Sequence, residues 1–178
     1  MRSHVNSRNR LVLTIAAIAA LAAALPRPAA AQERPAPVAE LHAGALVFAD
    51  DGFPRENFFG GAARLYVLPR VSVGPEIAYI SGRNHSHLML TGNVTFDVLS
   101  PSNGRPAQLT PFIVAGGGLF QTREQFPRGT FTSTDPAFTA GGGVRARLGD
   151  LVTVGGEVRV GWELHVRVNA LVGIRLHK

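Results

Sequence analysis

Three sets of residues have types and spacings that invite chemistry. His85-Ser86-His87 is the only histidine pair close in sequence. An i, i+2 spacing sets both imidazoles on one side of a strand, which suits a metal ion or a Ser/His nucleophile. No third ligand is evident nearby in the chain, and the plainer reading is an exposed polar turn. Gly116-Gly117-Gly118 and Gly141-Gly142-Gly143 invite comparison with phosphate cradles. Neither has nucleotide-loop spacing or a following Lys-Ser/Thr pair, so each reads as a bend or close backbone approach in a wall of strands. The third set is a scatter of arginines and carboxylates running from Glu40 to Arg175, which can form either a polar ion path or packed ion pairs. The scaffold has to decide among these readings.

The first 31 residues stand apart from that scaffold. Arg2, Arg8 and Arg10 make a basic start, an uncharged run follows from Leu11 to Leu25, and Ala29-Ala30-Ala31 precedes Gln32. This is the layout of a cleaved secretory signal. The apolar run is shorter than the about 20 residues a spanning helix needs, which disfavours a retained anchor. The precursor holds 18 basic and 12 acidic residues; losing Arg2, Arg8, Arg10 and Arg27 leaves 14 against 12, a net of +2. With no basic stripe carrying interleaved aromatics, nucleic acid is not an expected partner. The chain has no Cys, so the exported domain, residues 32–178, must be stable without disulfides. Only 17% of residues are charged, against about 25% in typical soluble domains.

Strict two-residue alternation recurs throughout residues 32–178. Val152, Val154, Val158, Val160 and Trp162 share one parity, while Thr153, Glu157, Arg159 and Glu163 share the other. Val166, Val168, Ala170, Val172, Ile174 and Leu176 likewise oppose Arg167, Asn169, Arg175 and His177. Successive side chains on a strand point to opposite faces, so each run has one uncharged face and one carrying every charge. Parity is kept between the two runs, which predicts an odd-numbered connection at 162–164. Similar runs predict strands near 40–47, 59–67, 71–79, 88–98, 111–121 and 138–148. In the run Pro111 to Gln121 both parities are apolar, and Phe112, Val114 and Phe120 are assigned to the outer face. Turn residues such as Pro101-Ser102-Asn103-Gly104 and Gly149-Asp150 separate the runs. Eight such strands read as an antiparallel up-and-down meander, and closure into a barrel removes its two edges.

Alternation does not by itself say which face is outside. A soluble periplasmic barrel would hold an apolar ligand within; a membrane barrel turns its apolar face outward. The polar face here has no Lys in the strands and is rich in Gly, Ala, Ser and Thr, which suits the packed interior of a narrow barrel. Its charges nearly balance: Glu40, Glu76, Asp97, Glu157 and Glu163 can face Arg64, Arg145, Arg147, Arg159, Arg167 and Arg175. Buried charges must be paired, and arginine's planar fork grips carboxylates well. Runs of about 10 residues also match a tilted bilayer crossing. Aromatics near strand ends (Phe48, Phe59, Tyr79, Phe96, Phe112, Phe120, Phe138, Trp162) fit interfacial girdles. With both termini periplasmic, connections 49–58 and 122–135 are long and external, carrying Phe53, Phe58, Phe126 and Phe131 as candidate contacts. The connection at 100–109 is long where a short turn is expected, and 162–164 is short where a loop is expected.

The signal sequence, the run TPFIVAGGG from Thr110 to Gly118, the run FTAGGGV from Phe138 to Val144 and the final alternating strand carry a family resemblance. Residues 32–178 resemble the small outer-membrane barrels related to the transmembrane domain of OmpA and to OmpX. The resemblance implies an eight-stranded transmembrane β-barrel in the outer membrane, surrounded by lipid and inserted by the barrel-assembly machinery. Its members commonly end in an aromatic residue, whereas this chain ends Leu176-His177-Lys178. Some eight-stranded relatives are lipid A deacylases with a Ser-His pair on a late strand; residues 151–178 contain no Ser. The expectation is a non-enzymatic barrel with a packed polar interior and a structural or surface-interaction role. No catalytic, cofactor-binding or metal-ligating residue is assigned. A soluble barrel holding an apolar ligand and an envelope enzyme acting on lipid through the His85 region remain as alternatives.

Overall fold

The computed structural model describes residues 34–48, 55–82, 85–101, 107–126, 129–161 and 165–176. Eight strands follow one another: β1 (Val38–Phe48), β2 (Arg55–Leu68), β3 (Val71–Ser81), β4 (His85–Asp97), β5 (Leu109–Phe126), β6 (Gly129–Leu148), β7 (Val152–Gly161) and β8 (His165–Arg175). Each pairs antiparallel with the next, and β1 pairs with β8 from Val38↔Arg175 to Phe48↔His165, closing the barrel. Closure gives every strand two ladder neighbours across the wall, so its backbone polar groups are satisfied without water. The β7–β8 connection is the odd-numbered 162–164, flanked by the pair Gly161↔His165. At the β6–β7 turn Gly149 adopts φ 69°, a left-handed conformation that glycine takes without steric cost.

The alternation resolves into an inside and an outside. On β8, Arg167 is wholly buried while Val168 is 54% exposed, and the same inversion runs round the barrel through Leu41, Ile77, Leu90, Val144 and Val158. β5 does not follow its predicted facing. Phe112, Val114 and Phe120 point into the barrel, and Ile113 and Leu119 point out. Large residues on both parities hid the answer; the inward set is fixed by its partners, for Phe112 lies against the Arg145 guanidinium and Phe120 packs in an apolar layer. Consequently Phe48, Phe112 and Phe120 are interior residues rather than girdle residues, while Phe59, Tyr79 and Phe138 do face outward.

The expected loop at 122–135 is largely strand. β5 and β6 pair continuously from Leu109↔Ala146 to Phe126↔Gly129, with only 127–128 between them. β6 runs on past its other neighbour, since β7 pairs with it no further than Thr139↔Gly161, whereas β5 keeps β4 beside it up to His85↔Glu124. Similarly, β2 begins at Arg55, so the β1–β2 connection shortens to 49–54. Both corrections have one cause. Toward that end the outward positions are polar as well, as at Arg55 and Asn57 on β2, Gln121 and Arg123 on β5 and Thr132 and Thr134 on β6, and the alternation that marks a strand disappears.

The glycine triplets are wall residues. Added Cβ atoms at Gly118 and Gly141 would strike the carbonyl oxygens of Leu90 and Val158 on neighbouring strands. Gly116 faces the Asn93 side chain and Gly141 faces Arg159. The glycine positions on the inner faces of β5 and β6 thus make room for long charged side chains from other strands.

Candidate functional site

Charged side chains fill the barrel in two closed quartets. Nearer the termini, Glu40 of β1 lies 2.8 Å from Arg64 Nε of β2 and 3.0 Å from Arg145 Nε of β6. Asp97 of β4 completes the ring, 4.0 Å from Arg64 Nη1 and 3.6 Å from Arg145 Nη1. Tyr66 ties into it, donating to Asp97 Oδ2 at 2.8 Å and accepting from Arg64 Nη1 at 3.0 Å. Deeper in, Glu76 of β3 lies 2.9 Å from Arg159 Nη1 and 2.6 Å from Arg167 Nη1. Glu157 closes that ring at 2.6 Å from Arg159 Nε and 2.9 Å from Arg167 Nη2. Asn93 Nδ2 donates to Glu76 Oε2 at 2.8 Å.

Each quartet holds two arginines and two carboxylates, so each is neutral as a unit. Charges taken out of water lose several kcal/mol of solvation apiece, and alternating signs with forked hydrogen bonds recover it. The rings link seven of the eight strands; β5 contributes Phe112, whose ring lies 3.5 Å from Arg145 Cζ. Arg167 likewise sits 4.3 Å from the Phe58 ring. Above the inner quartet, Leu46, Phe58, Ala78, Ile80, Met89, Phe120 and Ala137 form an apolar layer across the barrel. This interior is packed, which favours structural ion pairs over an open ion path.

Eight of the eleven residues expected in the interior network lie in these rings. Arg147 and Arg175 stand half-buried outside both quartets, lining a vestibule at the terminal end with Arg64, Tyr66, Asp97 and Arg145. Glu163 lies outside the described residues. Among the expected external contacts, Phe131 is exposed. Phe58 is not: it is fully buried under Arg167, because β2 begins three residues before it and its parity is the inward one. Phe53 and the side chain of Phe126 lie outside the described residues. Tyr66 and Asn93 also belong to the network, a role their own residue types did not signal although both share the inward parity of their strands. Glu56, also inward, was lost in the supposed loop.

The soluble-barrel alternative requires an apolar lumen and a polar exterior, and the arrangement is the reverse. The Ser/His nucleophile fails on geometry: Ser86 has the outward parity of β4, between two histidines that face in. No catalytic constellation is present among the described residues.

No protein-family model and no curated protein matches the sequence. Solved structures do match. The N-terminal barrel domain of Pseudomonas aeruginosa OprF superposes with a TM-score of 0.62 at 11% identity, covering 78% of this chain and 97% of that one. The chain has the fold of a small outer-membrane β-barrel. Neisserial surface protein A matches this barrel with a TM-score of 0.64 at 10% identity, covering 79% and 96% of the two chains. The attachment invasion locus protein Ail of Yersinia pestis gives 0.52 at 10% identity, covering 79% and 95%.

Proposed function

We propose that the protein is a non-enzymatic barrel of the outer membrane that presents a binding surface to the cell exterior. The observation that carries this reading is the inverted polarity: paired arginines inside, and Val, Leu and Ile outside on the same strands. Such an exterior is stable in lipid and costly in water. Residues 1–31 act as a cleaved signal peptide, and the barrel-assembly machinery inserts the remainder from the periplasm. With the termini periplasmic, the opposite end carries the 49–54 connection and the raised β5–β6 hairpin with Phe131. Contact or adhesion is proposed to reside there, in keeping with the names of two structural neighbours, a surface protein and an attachment protein.

The absence of native cysteine allows a direct test of orientation. Phe131→Cys should react in intact cells with a maleimide that does not cross the outer membrane. Labelling only after lysis would contradict the proposed surface exposure.

A further inference from the structure

His85 and His87 gain in three dimensions the third donor that the sequence did not show. β2, β3 and β4 are paired through Asn57↔Ser81 and Ser81↔Ser86, and one step further toward the mouth stand Glu56, Gly82 and His85. Gly82 has no side chain, and a Cβ there would strike both His85 Nε2 and Glu56 Oε1. The glycine therefore lets side chains of β2 and β4 meet across β3. His85 Nε2 is in contact with Glu56 Oε1, and His87 Nε2 lies 3.7 Å from Glu56 Oε2. One donor atom from each residue falls within 4.8 Å of the others.

We infer that Glu56, His85 and His87 bind one divalent transition-metal ion of the zinc type at the mouth of the barrel. The spacing is close to what is needed, since two donors of a tetrahedral zinc ion stand about 3.3 Å apart. The donor types select the ion class: two imidazoles suit zinc, copper or nickel, whereas calcium and magnesium prefer oxygen alone. The His87 ring is held in place. Its Nδ1 lies 3.0 Å from Thr122 Oγ1, and its face stacks on Phe120 at 4.9 Å. A proton on Nδ1, donated to Thr122, leaves the Nε2 lone pair directed at Glu56, the outer-shell arrangement typical of ligating histidines.

Glu56 itself asks for a cation. The quartet carboxylates each meet two arginines, but the ion-pair partners of Glu56 among the described residues are the two imidazoles. Its Oε2 is buried and finds no hydrogen-bond donor among those residues. A metal ion ligated by all three groups balances the buried carboxylate. The His85 side chain, 34% exposed, leaves the site open to solvent on the mouth side, where a water can complete the coordination.

The test is calorimetric titration of the refolded, untagged mature barrel with zinc chloride in zwitterionic detergent, with Co2+ absorption as a spectroscopic readout. One ion per barrel is expected, with visible bands from bound Co2+. His85→Ala and Glu56→Gln should each weaken binding more than about tenfold and remove the bands. Ser86→Ala, on the outward parity of β4, should change neither. His85 lies at the solvent-facing rim, so its variant keeps the test sound even where Glu56→Gln disturbs folding. Absence of stoichiometric binding in the wild type, or unchanged affinity in His85→Ala, would overturn the assignment.

Discussion

At the residue scale, stability rests on charges that are neutral only in company. Arg167 serves both Glu76 and Glu157, at 2.6 and 2.9 Å, and is wholly buried. Its removal leaves two carboxylates sharing Arg159 alone in a medium that solvates them poorly. Breaking one partner out of a buried pair costs about 3–5 kcal/mol. Arg167→Met should therefore lower the unfolding free energy by about that much, measured by urea titration in detergent with the single tryptophan, Trp162, as reporter. Arg123→Met, on an exposed residue of the raised hairpin, should shift it by less than about 0.5 kcal/mol. Equal effects from the two variants would mean that the quartets add nothing to stability. The charge balance behind this prediction was legible in the sequence, but the grouping into two rings was not. Which arginine meets which carboxylate depends on strand stagger, and parity alone does not specify it.

At the element scale, parity was the strongest signal the chain offered. Six strands showed their facing because each carried charge on only one side, and β2 did so over 59–67; β5 did not, since Phe112 and Ile113 are equally apolar. Gly116 and Gly118 held the clue. Opposite a lumen full of arginines, the inward positions must be small, and Phe112, Val114 and Phe120 share that parity. The β5–β6 extension was illegible for the opposite reason, because its Thr, Ser and Asp residues meet water on both faces and lack a hydrophobic period. Register follows from the same economy of charge. A one-residue slip of β8 would turn Arg167 and Arg175 to the lipid, and an arginine near mid-membrane costs about 2–4 kcal/mol. Val168→Arg imitates one such exposure without moving the strand. Its unfolding free energy in lipid vesicles should fall by about 2–4 kcal/mol. A change below about 0.5 kcal/mol would show that Val168 does not face the bilayer.

At the scale of the whole molecule, the barrel is turned inside out relative to a soluble one, with charge within and apolar side chains outside. The closed β1–β8 ladder leaves no free edge around the wall, and the ion-pair rings with the apolar layer above them fill the interior. A detergent molecule finds an outer surface it can coat and few backbone groups it can capture, so the fold should resist SDS until heated. Gel mobility of the mature protein from washed outer membranes, with and without boiling in SDS, tests this most directly. The unheated protein should stay compact, and boiling should shift its mobility. A protein recovered in the soluble periplasmic fraction, with one mobility regardless of heating, would contradict it.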